Sequence, residues 1–237
     1  MAEGIFDVKV GGDYACFSRP EFKVERVSYP VMTPSAARGL LEAILWKPEM
    51  RWEIREIDVL KPLKQSSILR NELSDRQGDS PLIIEEKRQQ RASLILRDVA
   101  YVIHCEIVLR GHVTDPLTKY ADMFRRRLER GQCHHTPYLG TREFAAWFEP
   151  ATAAEEPVPL DLDLGTMLFD IAYIEDASRL VDRMTFNRQD GTGRRTAQGY
   201  AEAMFFQAHL SQGRLKVPRE LYKNLYRREG DNASRAG

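Results

Sequence analysis

The sequence predicts an α+β fold, because segments that alternate like strands are separated by two segments with helical spacing. The longest alternation, residues 99–109, is typical of a central antiparallel strand. Residues 34–45 and 117–130 each carry one apolar stripe at helical spacing. The resulting order βαββαβ predicts a ferredoxin-like (RRM-like) domain over residues 1–150. We expect a small β-rich carboxy-terminal domain over residues 151–237.

The first strand and the first helix are marked by the residues at their ends. Residues 5–10 alternate, and Gly11-Gly12 predicts the end of that strand, before a turn-rich segment. Thr33 and Pro34 predict the start of the helix, since threonine caps helices and proline suits the first helical position. Trp46-Lys47-Pro48 predicts its end.

The chain between the two helices predicts a second strand, an irregular excursion and the central strand. Residues 52–59 alternate in two phases, which indicates a β-bulge near Arg55-Glu56. Residues 65–97 have only a weak pattern. Within them, Gly78-Asp79-Ser80-Pro81 predicts a turn and Lys87-Arg88-Gln89-Gln90-Arg91 predicts a mobile arm.

The second helix is the most basic part of the chain, with five basic and two acidic side chains between Lys119 and Arg130. Its apolar stripe is formed by Tyr120, Phe124 and Leu128. Its basic residues on a neighbouring face are Lys119, Arg126 and Arg130. Gly131 predicts the helix end. A cationic helix face followed by a glycine-bearing loop suits a phosphate chain, and the alternative is a solvated face without a ligand.

Beyond the second helix, residues 143–148 predict one more strand, and the composition then changes to acid, proline and alanine. Residues 152–176 hold seven carboxylates and no basic residue. In the second domain we expect strands or short elements at 164–171, 204–206 and 213–218, a loop at 188–199, and a frayed tail at 227–237.

Composition indicates a globular protein that recognises phosphate locally. The chain has 35 basic and 35 acidic residues, which argues against a protein that grips nucleic acid over its whole surface. Arginine predominates among the basic residues, and its guanidinium forms two-pronged bonds to phosphate. No apolar run is long enough to cross a bilayer and residues 1–7 lack the features of a signal peptide, so we expect a cytoplasmic protein without a membrane partner.

The cysteines give no metal-ligand pattern. Cys16, Cys105 and Cys133 are odd in number and far apart, so we interpret them as reduced thiols. The sequence Cys133-His134-His135 raises a metal hypothesis, but it would need His104 or Cys105 as a further ligand. We therefore expect no metal and no cofactor.

Six short segments occur in order along the chain. They are Gly12-Asp13-Tyr14-Ala15-Cys16-Phe17, Trp46-Lys47-Pro48, Arg88-Gln89-Gln90-Arg91, Lys119 with Phe124-Arg125-Arg126-Arg127, Leu139-Gly140-Thr141-Arg142-Glu143-Phe144, and Leu164-Gly165 before Met167-Leu168-Phe169-Asp170-Ile171. Together they resemble the type I-C CRISPR-associated endoribonuclease family, the Dvulg subtype of the fifth Cas family in the repeat-associated RNA-binding superfamily. The resemblance covers nearly the whole chain.

The resemblance implies a ferredoxin-like amino-terminal domain and a small β-rich carboxy-terminal domain. It implies metal-independent cleavage of CRISPR repeat precursor RNA by attack of a 2′-hydroxyl on the neighbouring phosphate, which leaves a cyclic phosphate. It also implies that the protein then caps the 5′ handle of the guide RNA in a surveillance (Cascade) complex. The implied partners are repeat RNA, guide RNA, the other subunits of a type I-C effector, and target DNA contacted through the complex.

The resemblance also implies catalytic positions. Lys119 matches the family lysine and would stabilise charge on the transition state. Tyr120 stands where the family has a histidine, and Leu45 where it has an aromatic residue or histidine. Three accounts are open: Tyr120 donates the leaving-group proton, His134 or His135 replaces the imidazole, or the protein binds RNA without cutting it. An unrelated metal-dependent hydrolase built on the two histidines is a further alternative.

Charge placement and the resemblance together predict an RNA-binding surface. Its residues are Tyr14, Lys47, Arg125, Arg126, Arg130, Gly140 and Arg142. The basic side chains would contact the RNA backbone and fix its position, while the aromatic ring would stack on an exposed base.

Overall fold

One large sheet and four helices make up the described part of the chain, which confirms an α+β fold. The computed structural model describes residues 3–22, 25–73, 78, 81, 83–178, 183–187 and 194–230. The strands are β1 (Ile5–Ala15), β2 (Arg26–Val27), β3 (Met50–Val59), β4 (Gln65–Leu73), β5 (Arg88–Leu109), β6 (Trp147–Pro150), β7 (Leu162–Glu175), β8 (Arg183–Asn187), β9 (Arg194–Ser211) and β10 (Arg214–Lys216). The helices are α1 (Pro34–Ile44), α2 (Ile84–Lys87), α3 (Leu117–Glu129) and α4 (Arg219–Arg228).

Strand β5 lies at the centre of this sheet. The strand order is β6-β1-β5-β3-β10-β9-β7, with β2 and β4 also paired to β5 and β8 paired to β9. The pairings are antiparallel except for that of β2 with β5. Alternate β5 residues, among them Tyr101, Ile103, Cys105 and Ile107, are buried in the core. The predicted central antiparallel strand is confirmed, and it extends 11 residues further towards the amino terminus, to Arg88.

Helix α1 begins where its sequence predicts. The Thr33 side chain accepts a hydrogen bond from the backbone N–H of Ala36 at 3.2 Å, and Pro34 occupies the first turn. One face of the helix is buried, including Leu40, Leu41 and Ile44. None of the helices in the described residues combines the length and apolar character that crossing a membrane requires.

The predicted β-bulge is present in β3. Glu53 lies opposite Glu106 of β5, and Glu56 lies opposite His104, so Arg55 is the extra residue. Because the bulge shifts the alternation by one, Glu56 projects to the same sheet face as Glu53. That face is opposite the one on which α3 packs.

The expected end of β1 at Gly11-Gly12 is wrong. Both glycines continue the ladder with β5, and the strand runs on to Ala15. A Cβ at Gly11 would overlap the Trp147 ring and the Val99 carbonyl oxygen. These glycines therefore allow close packing against a neighbouring side chain and backbone, and do not form a turn.

Residues 65–73 and 88–96 pair as antiparallel strands, where the sequence predicted an irregular excursion. Strands β4 and β5 pair antiparallel from Gln65↔Leu96 to Leu73↔Arg88. The predicted mobile arm at 87–91 is therefore wrong, since Arg88 to Arg91 belong to β5. Side chains on one face of β4, such as Leu69, are exposed, which explains the weak hydrophobic pattern. The turn predicted at 78–81 falls mostly outside the described residues.

The carboxy-terminal part is β-rich, as predicted, and also contains a helix that the sequence did not predict. The expected elements at 164–171, 204–206 and 213–218 lie in or around β7, β9 and β10. The expected strand at 143–148 is shorter and later, as β6. Of the expected loop at 188–199, residues 194–199 are strand and the rest is outside the described residues. The tail expected at 227–237 is helical up to Arg228, and 231–237 is outside them.

The two parts share the sheet. Strand β10 pairs with β3 through Leu215↔Ile57 and with β9 through Leu215↔Leu210. The pairing of β10 with β3 joins the carboxy-terminal strands to the amino-terminal ones. The division into domains at residue 150 therefore stays a prediction about folding units.

Phe124→Ala should lower the free energy of unfolding by about 3–5 kcal/mol. The Phe124 ring is fully buried, with its centroid 4.8 Å from that of Phe6 and 4.5 Å from that of Trp52. Urea unfolding followed by circular dichroism measures the change. The matched control is Phe205→Ala, because Phe205 is 42% exposed and its loss should cost much less. Equal losses in the two variants would contradict this account of the core.

Candidate functional site

The amino-terminal turn of α3 presents the predicted catalytic residues side by side. The helix is held to the sheet by its buried residues Tyr120, Ala121, Phe124 and Leu128. Because that stripe faces the core, Lys119 points to solvent, with half of its side chain exposed. The structure thus fixes Lys119 at the surface directly beside a buried tyrosine.

Asp115 joins Lys119 and Tyr120 through one oxygen atom. Lys119 Nζ lies 2.6 Å from Asp115 Oδ2, and the Tyr120 hydroxyl donates a hydrogen bond to the same oxygen at 3.3 Å. The Lys119 ammonium also lies 5.5 Å from the centroid of the Tyr120 ring. Tyr120 as a whole is only 1% exposed, so its ring belongs to the core and its hydroxyl is covered by Asp115.

The electrostatics of this cluster set its protonation at neutral pH. The hydrogen bond to Asp115 raises the pKa of Lys119, and the same contact lowers the pKa of Asp115. Burial raises the pKa of Tyr120, and the carboxylates of Glu49 and Asp115 raise it further. The cluster is therefore a cation, a carboxylate and a protonated phenol. Such a phenol can donate a proton and is unsuited to accept one.

The structure does not bring His134 or His135 to Lys119. Their backbone N–H groups donate to the Ala43 carbonyl at 2.8 and 3.4 Å, at the carboxyl end of α1. Arg127, in the last turn of α3, donates to the neighbouring carbonyl of Ile44. Lys119 lies eight residues before Arg127, about 12 Å along the helix axis. Both histidines are exposed, and their rings are 6.0 Å apart.

The third catalytic position implied by the resemblance is held by a core residue, Leu45. Leu45 is fully buried at the end of α1, and its carbonyl accepts a hydrogen bond from Trp52 Nε1 at 2.9 Å. No side chain with acid or base chemistry stands there. The next two residues are more exposed than Leu45, since Trp46 is 43% exposed and Lys47 is half-buried.

The predicted RNA-binding arginines of α3 differ in their contacts. Arg125 forms an ion pair with Asp122 at 2.6 Å and lies over the Phe6 ring. Arg126 and Arg130 are exposed, and within the described ranges their side chains form no ion pair. Arg126 and Arg130 are therefore better placed than Arg125 to contact a phosphate.

Tyr14 and Gly140 lie where the loop after α3 packs against β1, and Arg142 belongs to the same loop. The Cys16 N–H donates to the Leu139 carbonyl at 3.0 Å, which ties the loop to the strand. Gly140 has φ +86°, and a Cβ there would overlap the Cys16 carbonyl. The exposed Tyr14 ring lies 5.9 Å from that of a loop phenylalanine, and Arg142 is exposed nearby in sequence.

Comparison with known proteins places the chain in a family. The sequence model of a family described as CRISPR-associated protein (Cas_Cas5), the Cas5d group, matches residues 6–218. The chain belongs to this family. The match includes Lys119, Tyr120 and the whole loop that follows α3.

Two relatives extend over most of the chain. A protein of Thermus thermophilus, named CRISPR pre-crRNA endoribonuclease Cas5d, is 57% identical over 229 residues, or 97% of this chain and 98% of that protein. A protein of the same name from Mannheimia succiniciproducens is 45% identical over 188 residues, or 69% of this chain and 83% of that protein.

Solved structures share the fold at low sequence identity. A CRISPR-associated protein has a TM-score of 0.62 at 20% identity, covering 92% of this chain and 93% of its own. A functionally uncharacterized protein of Streptococcus mutans has a TM-score of 0.61 at 18% identity, with the same coverage. Fold similarity of this kind does not itself assign an activity.

Sequence reasoning missed two acidic residues of the site, Asp115 and Glu49. Asp115 lies four residues before Lys119, the spacing that allows an ion pair across one helical turn, so a local signal was available. Glu49 precedes β3 and reaches the Tyr120 environment only through the fold. No local pattern in the sequence indicates that proximity.

Gly140→Ala should destabilise the loop and lower the free energy of unfolding by at least about 1 kcal/mol, because alanine disfavours this positive φ. The overlap with the Cys16 carbonyl adds to the cost. Urea unfolding measures the loss. The control is Gly39→Ala in α1, where an added Cβ meets nothing within 4 Å and should stabilise the helix. Stability of Gly140→Ala equal to that of the parent would refute the strained-loop account.

Proposed function

We propose that this protein is a metal-independent endoribonuclease that cuts CRISPR repeat precursor RNA. We also propose that it then caps the 5′ handle of the guide RNA in a type I-C surveillance complex. The observation that carries the proposal is the 57% identity, over 97% of the chain, to a protein named as a CRISPR pre-crRNA endoribonuclease. The cluster of Lys119, Asp115 and Tyr120 is chemically suited to that reaction.

In the proposed reaction, the substrate phosphate replaces Asp115 as the partner of Lys119. The 2′-hydroxyl attacks the neighbouring phosphorus, its proton passes to water, and the bond to the 5′-oxygen breaks to leave a cyclic phosphate. Lys119 stabilises the charge that develops on the phosphorane oxygens. Movement of Asp115 also frees the Tyr120 hydroxyl, which donates its proton to the departing 5′-oxygen.

A second candidate function is a guide-RNA-binding subunit without catalysis. It is favoured by the burial of Leu45, which supplies no acid or base, and by the covered hydroxyl of Tyr120. In that case the basic residues of α3 would bind the handle, and Lys119 would contribute only charge.

We propose that the first part of the chain has the ferredoxin-like arrangement. Strands β1 and β3 are both antiparallel to β5, which lies between them, so they run parallel to each other with one strand inserted. That is the split βαβ arrangement of such folds. Strand β6 pairs antiparallel with β1 on the other side. We propose residues 1–150 as this domain and 151–237 as the second.

The proposed RNA surface runs from α3 along the following loop to β1. It is formed by Arg126, Arg130, Arg142 and Tyr14, with Lys47 beside the end of α1. Gly140 shapes the loop, and Arg125 contributes less because Asp122 pairs with it. The proposed partners are repeat RNA, guide RNA, other subunits of the effector and, through them, target DNA, all in the cytoplasm.

Tyr120→Phe should slow cleavage of a repeat hairpin RNA by about 10²- to 10⁴-fold, because the proton donor is lost while the buried ring remains. RNA affinity should change less than about twofold, and Lys119→Ala should reduce the rate at least as much. Single-turnover assays in EDTA, with detection of the cyclic phosphate, measure this. The matched control is Tyr173→Phe, an exposed tyrosine of β7, which should cut at the parental rate.

The pH profile and two histidine variants test which group transfers the proton. Lys119 and Tyr120 have pKa values above their ordinary ranges, so both stay protonated and the rate should vary little between about pH 6 and 8. Catalysis by His134 or His135 as a base would instead be revealed by loss of activity in His134→Ala or His135→Ala. Full activity of Tyr120→Phe would reject Tyr120, and intact bound RNA with the parent protein would favour the binding subunit.

Arg126→Ala and Arg130→Ala should each weaken RNA binding and reduce its salt dependence. Each lost phosphate contact lowers the slope of log K against log salt by about 0.7 for single-stranded RNA. Fluorescence anisotropy over a salt series measures both quantities. Lys223→Ala, on the exposed side of α4, is the control and should change neither. Unchanged slopes in both arginine variants would show that the RNA binds elsewhere.

A further inference from the structure

A histidine and three carboxylates meet on the face of the sheet opposite α3. His104 of β5 lies directly opposite Asp7 of β1 and opposite Glu56 of β3. Asp58, two residues after Glu56, lies on the same face. One donor atom from each of Glu56, Asp58 and His104 lies within 4.8 Å of the other two. Three neighbouring strands therefore direct these groups to one point.

The β-bulge in β3 builds this cluster. Without the bulge, strict alternation from Glu53 would place Arg55 and Ile57 on the face of His104. With it, Glu56 and Asp58 take those places, and Ile57 is buried in the core. A bulge that turns two carboxylates towards an imidazole is a local feature with a specific chemical result.

The orientation of His104 is that of a metal ligand. Its Nδ1 lies 2.6 Å from Asp7 Oδ1, so Asp7 can accept a hydrogen bond from this nitrogen and turn Nε2 towards Asp58. Histidines that bind metals usually donate their other ring N–H to a carboxylate in this way. His104 Nε2 lies 3.2 Å from Asp58 Oδ2. Two ligand atoms about 2.1 Å from one tetrahedral ion lie about 3.4 Å apart.

Two buried atoms at this point have no well-aligned hydrogen-bond partner. They are His104 Nε2 and Asp58 Oδ1, and Asp58 as a residue is only 7% exposed. The nearest cation to Asp58 Oδ1 among the ion pairs of the described residues is Arg214 Nε, at 3.8 Å, too far for a hydrogen bond. Buried polar atoms without partners are costly, and a bound ion would satisfy both.

We propose that Glu56, Asp58 and His104 bind a first-row divalent transition metal, with Zn²⁺ as the best match, and that Asp7 orients the imidazole. Imidazole nitrogen favours Zn²⁺ over Mg²⁺, and two carboxylates supply the negative charge. The ion would connect β3 to β5 directly and β1 through Asp7. It lies across the sheet from Lys119, so it stabilises the fold and takes no part in RNA cleavage.

Isothermal titration of tag-free, chelator-treated protein with ZnCl₂ at pH 8 tests the site. At this pH Zn²⁺ must still displace a proton, since contact with the carboxylate of Asp58, and then with that of Asp7, raises the pKa of His104 to about 9. We expect one Zn²⁺ per chain. His104→Gln and Glu56→Gln should each weaken binding at least 10-fold, and Asp7→Asn about 10- to 100-fold. Mg²⁺ at the same concentration should not compete.

The control is His134→Gln, because the exposed Cys133-His134-His135 sequence is a second place where zinc could bind. This variant should retain full affinity. Zn²⁺ should also raise the melting temperature of the parent and of His134→Gln, and not that of His104→Gln. Circular dichroism establishes that each variant is folded.

Three results would overturn the proposal: no zinc binding by the parent protein, unchanged binding by folded His104→Gln, or loss of binding in His134→Gln. Arg214→Gln provides an independent test, since removal of the positive charge beside Asp58 should tighten Zn²⁺ binding. RNA cleavage is expected to persist in EDTA, so absence of zinc binding would not contradict the proposed RNA cleavage. Absence of RNA cleavage would likewise not contradict the zinc site.

Discussion

The register of β5 is the constraint on which the rest of the structure depends. This strand pairs with β1, β3 and β4, and more briefly with β2, so its alternation decides which residues face the helices across the middle of the sheet. Cys105 lies opposite both Phe6 and Ile54, and all three are buried. A slip of one residue would expose this layer and bury charged side chains, a cost that strongly specifies the register. Helix α3 then packs Phe124 against Phe6, which fixes the rotation of the helix.

That rotation explains why the candidate site combines a surface cation with a core aromatic. Lys119 and Tyr120 are adjacent in sequence, so they are about 100° apart around the helix, and burial of one exposes the other. Asp115 bridges them from the turn before the helix. In the free protein this carboxylate neutralises Lys119 and covers Tyr120. A phosphodiester can take its place because, like the carboxylate, it offers the Lys119 ammonium one negative charge shared by two oxygens.

The sequence predicted the features of the fold that depend on interactions between residues close together in the chain. The Thr33 cap, the stripe of α3, the alternation of β5 and the bulge near Arg55 all came from the sequence, because each reflects neighbouring residues or burial with one period. The role of Gly11 could not be predicted from the sequence, since it depends on Trp147, which is remote in the chain. The predicted site residues separated for the same reason: Lys119 and Tyr120 share one turn of helix, whereas the position of the histidine loop depends on a carbonyl of α1.

The segregation of charge reconciles a neutral chain with a cationic surface. The acidic residues of 152–176 do not form one surface that would repel RNA, because several pair with basic residues of this chain. Asp170, 2% exposed, accepts two hydrogen bonds of 2.7 Å from Arg38, and Glu155 forms an ion pair with Lys9. These contacts join the carboxy-terminal strand β7 and its preceding segment to α1 and β1. The basic partners they use come from outside α3. Arg126 and Arg130 are therefore left without acidic partners among the described residues, and net charge alone underestimates how strongly this one surface attracts a polyanion.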